Sequence, residues 1–174
     1  MNMITNIKTP IFFLLLGLLI SCSKPVEKTV TLDNIELTAE GPLFEGSNTF
    51  QATLESPLNA FLKENDLTKE DIAEITVSGC TLSTSDSNFF NLYNSATIQF
   101  FSDNSEMQNV GVINPIPQNK KELTVEIAKE QEGITEIFND KNIYVVGDAI
   151  IKEDVYDNLS FTATIKLNVK HYKK

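Results

Sequence analysis

Few residues in this chain could do covalent or acid–base chemistry: Cys22, Cys80, the single histidine His171, and 24 aspartates and glutamates among 174 residues. A serine or cysteine nucleophile needs a base held beside it, and the one histidine stands at the very end of an alternating strand pattern. It reads as an exposed tail residue. Cys80 sits in Ser78-Gly79-Cys80-Thr81 with nothing basic next to it, which suits a small buried strand residue better than a reactive thiol. No Gly-rich phosphate loop, His-Glu-x-x-His or Gly-x-Ser-x-Gly is present. Two acids can hydrolyse a glycoside, but spacing along the chain does not pair any. Two oxygen-rich loops, Asp103-Asn104-Ser105-Glu106 and Asp154-Val155-Tyr156-Asp157-Asn158, make Asp103, Glu106, Asp154 and Asp157 weak calcium candidates. Neither has the Asp-x-Asn-x-Asp-Gly order of a dedicated loop, and turn formation is the expected role of such residues. Tryptophan is absent, leaving Tyr93, Tyr144 and Tyr156 as possible platforms for stacking a sugar.

The best-defined chemistry belongs to Cys22. Leu19-Ile20-Ser21-Cys22 closes a run of apolar or glycine residues from Ile11 to Ile20 behind one positive charge, Lys8. That run has the length of a secretory h-region and is too short to span a bilayer. The Leu-x-small-Cys box resembles the bacterial lipoprotein signal. The resemblance implies cleavage before Cys22, a diacylglycerol on its thiol and an acylated amino terminus, so the chain would be anchored by lipid and not span. With Ser23 after the cysteine, it implies the outer membrane; with only Glu27 as a nearby acid, it implies a periplasm-facing protein more than a surface-displayed one. Once Cys22 is lipidated, Cys80 has no disulfide partner, and one histidine with one free cysteine serves zinc poorly. No cofactor is expected.

Removing residues 1–21 leaves 153 residues, enough for one domain with a sizeable core. Lys8 departs with the leader, so 13 lysines face 24 acids, a net charge of −11. This argues against a nucleic-acid partner and leaves membrane contact to the acyl chains. There is no arginine, which removes bidentate guanidinium clamps.

The elements that must position these residues are mostly strands. Residues 22–28 read as the lipidated cysteine and a short tether, and 29–174 as a single domain. Val30 and Leu32 alternate, and Ile35, Leu37 and Ala39 alternate on the opposite parity, so Asp33-Asn34 should bulge. The same switch falls on Ser78-Gly79, between Ile75 and Val77 and the pair Cys80 and Leu82. Ser56-Pro57 should open a helix with Leu58, Phe61 and Leu62 on one side; Ile134, Ile137 and Phe138 repeat that spacing. Thr68 to Asp71 resembles a cap. Leu123, Val125 and Ile127 read as one strand, and Ile143 to Ile151, apolar on both parities, as a central one. From Leu159 to Val169 every second residue is apolar, a period of 2 that admits no helix. The expectation is a mainly all-β fold: about eight antiparallel strands in a sandwich, Ig-like or jelly-roll-like, with two short inserted helices.

The lipobox, the absence of arginine, the Asn-rich composition, the Phe89-Phe90-x-Leu92 turn and the long final strand together resemble the small lipid-anchored β-sandwich proteins of Bacteroidota. That resemblance implies a location and a fold but no catalytic residues. The expected function is a non-catalytic, membrane-anchored envelope lipoprotein that presents its sandwich to a protein or glycan. The alternatives are an apolar-ligand carrier and a carboxylate-based hydrolase.

Overall fold

The computed structural model describes residues 24–172. Nine strands build it: β1 Val26–Ala39, β2 Gly46–Glu55, β3 Ile72–Ser83, β4 Tyr93–Ser102, β5 Ser105–Ile113, β6 Glu122–Thr124, β7 Glu126–Ile127, β8 Asn142–Ile151 and β9 Leu159–His171. Two short helices, α1 Leu58–Glu64 and α2 Ile134–Asn139, are inserted. The pairings are antiparallel, as the alternation requires. In β9, Phe161, Ala163, Ile165, Leu167 and Val169 are buried while Lys166 is exposed. Both expected parity breaks are bulges. The register on β9 slips between Leu32 and Ile35, where Asn34 takes left-handed backbone (φ 58°), and again between Val77 and Gly79. β1 begins at Val26, so strand structure reaches into the segment read as tether.

The strand order is β6-β3-β9-β1-β2-β8-β4-β5-β7. β1 and β2 share one register pair, Thr38 with Gln51, so the sheet turns a corner there and divides into two halves. Partners nest along the chain: β4 with β5, β3 with β6, β2 with β8, β1 with β9. This is a long hairpin folded at Asp103-Asn104 and rolled up, the jelly-roll alternative of the two expected. The second seam is made by the run read as one strand. Its first part pairs with β3 and its second with β5: Val125 N–H donates to Cys80 O and Ala128 N–H to Val110 O, both at 2.9 Å. A single segment thus stitches the two halves together, and the sheet is nearly closed into a barrel. Gly111 permits this crossing, since a Cβ there would lie 2.4 Å from Glu126 O.

β6 covers only the end of β3, and an exposed strand edge is a template for unwanted pairing. Side chains from α2 and the segment leading into it cover more of that edge, at Ile75 and Val77. Gln131 Oε1 accepts the Val77 N–H at 2.6 Å and its Nε2 donates to Val77 O at 2.9 Å, as a neighbouring strand would. Thr135 Oγ1 accepts the Ile75 N–H at 2.9 Å.

Both helices lid the core, burying Leu58, Phe61 and Leu62 from α1 and Ile134, Ile137 and Phe138 from α2. Pro57, not Ser56, is the boundary residue of α1. Ser56 is buried instead, donating to Phe138 O at 2.6 Å and accepting the Leu58 N–H at 3.3 Å, which ties the two helices together. The expected cap before β3 is present as a 3-10 turn at Lys69–Asp71, with the Asp71 carboxylate accepting the Thr68 N–H and hydroxyl at 2.7 and 2.8 Å. At the other end of the core the Phe89–Leu92 turn packs Phe89 and Phe90 into a ring cluster with Tyr93, Phe161 and Phe50.

Candidate functional site

Register sorts the loops onto two poles. Val26 pairs with His171 and His171 with Ile72, so both ends of the domain and the β2–β3 connection share one pole. Glu55 pairs with Asn142 and Ser102 with Ile143, which places α1, α2 and the β4–β5 turn there too. The connections 40–45, 84–92, 114–121 and 152–158 gather at the opposite pole.

The acidic candidates are split between these poles. Asp103 lies in the β4–β5 turn, where its Oδ1 accepts the Tyr144 hydroxyl at 2.9 Å. Asp140 anchors the same turn, accepting from Ser102 Oγ (2.6 Å), Asn104 Nδ2 (3.0 Å) and Asn104 N–H (3.1 Å). Those bonds, the Ser102 one foremost, hold its carboxyl below the usual range, the reverse of what a general acid needs. Asp154 is at the other pole, its Oδ1 accepting the Glu45 N–H at 2.9 Å. Among the described residues no three His, Cys, Asp or Glu side chains gather to hold a metal. Asp103 and Asp154 each hold a loop together, as turn formers do; Glu106 and Asp157 are exposed. Cys22 and the leader lie outside the described residues.

His171 corrects the expectation of an exposed tail. It is only 4% exposed, set edge-on to Phe61 at 5.9 Å, and its Nε2 has no hydrogen-bond partner. Its position on β9 between β1 and β3 explains the burial, because β1 extends further toward the amino terminus than the alternation indicated. Cys80 is buried as expected, and burial pushes its thiol up to about 12. Beneath α1, Val30, Leu58, Phe61 and Phe138 line an apolar cavity of about 10 Å³, room for no more than a water molecule.

The tyrosines separate cleanly. Tyr93 is buried in the core and Tyr144 is stacked on Phe101 at 4.6 Å, whereas Tyr156 is 80% exposed. Tyr156 belongs to a crown of loops that hydrogen bonds join in sequence. Leu43 and Val155 bridge through two backbone bonds of 2.7 and 2.9 Å; Asn158 Oδ1 accepts the Gly41 N–H at 2.9 Å. Lys152 N–H donates to Leu92 O at 2.9 Å and its Nζ to Asn91 O at 2.6 Å; Asn91 in turn accepts the Asn119 N–H at 2.6 Å. A Cβ on Gly41 would meet Tyr156 O at 2.5 Å, so only glycine lets these two loops meet. Leu43 packs inward, and the next residue, Phe44, is 62% exposed. Sequence reading missed Phe44. Its one signal was an aromatic residue placed directly before the turn residues Glu45-Gly46-Ser47-Asn48. The same crown holds an open depression of about 300 Å³ between Asn88, Asn91, Lys152 and Glu153.

No protein-family model and no curated protein matches the chain. Among solved structures, it is similar over 85% of its length to a chain in the structure of infectious bursal disease virus Gx strain, with 15% identity and a TM-score of 0.38. It spans about a third of that chain, 32%.

Proposed function

We propose that the protein is a non-catalytic envelope lipoprotein, anchored through Cys22 in the outer membrane and facing the periplasm, whose loop crown binds a protein or glycan partner. The observation that carries this reading is the position of Val26 at the pole opposite the crown. Val26 is four positions beyond Cys22, a reach of about 14 Å at most. A lipid on Cys22 therefore keeps the helical pole against the bilayer and turns the crown away from it. Among the described residues no helix is long and apolar enough to cross a membrane, so the acyl chains are the attachment this reading requires.

Cys22→Ala tests it: the variant should lose lipid modification and leave the membrane fraction after a high-salt wash. A variant still held by membranes would refute the anchor. Orientation is read separately with Tyr156→Cys and a membrane-impermeant maleimide, because buried Cys80 stays silent. Labelling only after the outer membrane is opened is the expected result; labelling of intact cells would place the crown on the surface.

A further inference from the structure

The crown carries one arrangement that specifies a partner more narrowly. Leu43 pairs with Val155 across an antiparallel bridge, so Phe44 stands opposite Asp154, with Tyr156 two residues along on the same side. Diagonal neighbours in such a pair are roughly 7–8 Å apart. Inward Leu43 is buried, while Phe44, Asp154 and Tyr156 are all exposed. One carboxylate thus shares the outward side with two exposed rings, across from Phe44 and two residues before Tyr156, and the bond from Glu45 N–H to its Oδ1 ties it to the Phe44 loop. The loops bearing the rings also carry Glu40, Glu45, Glu153 and Asp157, against one lysine, Lys152, whose Nζ is engaged with Asn91 O.

We propose that Phe44, Asp154 and Tyr156 form a docking site for a cationic side chain, an arginine or lysine on an exposed segment of a partner protein. Ring faces attract a cation, best a guanidinium that can stack on them, and the carboxylate on the same side supplies the opposite charge. A neutral sugar could stack on the rings and donate hydroxyls to the acids but would gain no Coulombic attraction from their net charge, and an anionic polymer would be repelled. The two loops are already tied by the Leu43–Val155 bonds and the Asn158–Gly41 bond, so little ordering is needed on binding. This inference rests on the crown being the binding face and is independent of the lipid anchor, which the Cys22→Ala fractionation tests alone.

The experiment uses the full chain in non-ionic detergent, with backbone amide shifts followed by NMR. The probes are a short peptide with two arginines, the same peptide with neutral citrulline in their place, and a neutral glucose hexasaccharide. The arginine peptide should shift residues 43–45 and 153–157, with an affinity that falls as salt rises, and the citrulline peptide should not. Phe44→Ala and Tyr156→Ala should each weaken binding roughly two- to fivefold. Asp154→Asn, which keeps an acceptor for Glu45, should weaken it and flatten the salt dependence. Glu132→Gln, at the other pole, should change nothing. Shifts spread over the whole acidic surface and insensitive to both ring substitutions would overturn the proposal as bulk electrostatics. Equal binding of the citrulline peptide, or of the hexasaccharide without salt dependence, would overturn it in favour of a neutral ligand. Absence of any shift would overturn it outright.

Discussion

Gln131 offers the sharpest test of how the fold protects itself. Its amide occupies the place of a strand beside β3, accepting the Val77 N–H at 2.6 Å and donating to Val77 O at 2.9 Å and Ala128 O at 3.0 Å. Gln131→Ala leaves the Val77 N–H and carbonyl without those partners. An unsatisfied buried group costs about 1–3 kcal/mol; this site is half-buried and water can reach part of it, so about 1–2 kcal/mol is expected. With a urea slope of about 1–3 kcal/mol/M, the unfolding midpoint should fall by roughly 0.3–2 M. Gln131→Glu separates the hydrogen-bond account from simple side-chain volume. A carboxylate can still accept the Val77 N–H but cannot donate to the two carbonyls, so the charged form is disfavoured in the fold and the folded pKa of the new acid lies above its unfolded value. The fold then binds the extra proton. The variant should therefore approach the wild type below the ordinary glutamate range of about 4.3 and lose ground as pH rises through the raised pKa. Amide exchange at Val77 should quicken in both variants. If Gln131→Glu matches the wild type at pH 7, or if its deficit does not shrink in acid, the edge-covering role must be abandoned.

The remaining predictions concern core, thiol and turn. Phe161→Ala removes a buried ring packed at 5.0 Å from Phe50 and should cost about 3–5 kcal/mol, while Thr162→Ala on the outer face should cost far less; equal urea midpoints would contradict the inward assignment of β9. Cys80, its thiol raised to about 12 by burial, should react with a thiol-specific chromogenic disulfide only as fast as the domain opens, and prompt reaction of the native protein would refute that burial. Asp140, whose carboxyl the bonds from Ser102 and Asn104 hold down, contributes stability above its unfolded pKa that is lost as pH falls through the lower folded value. Asp140→Asn should therefore flatten the acid limb of the stability profile, and an unchanged limb would show that the turn does not depend on that charge.

Much of this protein was legible in the chain. Period-2 alternation, parity switches at Asp33-Asn34 and Ser78-Gly79, and the i, i+3, i+4 spacing of Leu58 to Leu62 and Ile134 to Phe138 are local consequences of which face must be buried. They appear as strands, bulges and helices where the pattern places them. Composition also decides without a fold that no arginine clamp exists. What the chain could not reveal depends on which segments meet. Leu123, Val125 and Ile127 alternate whether they pair with one strand or two, so the seam that nearly closes the sheet is invisible until β3 and β5 are brought to either side of it. His171 reads as a tail because its burial comes from β1 and α1, more than a hundred residues away. Gln131 is a polar residue in a polar stretch until the unpaired edge of β3 lies beside it. Phe44 and Tyr156 lie 112 positions apart, and only the Leu43–Val155 bridge brings them to one outward side with Asp154. Alternation is a property of neighbours along the backbone; the crown is a property of neighbours through space, and the rolled hairpin creates those neighbours.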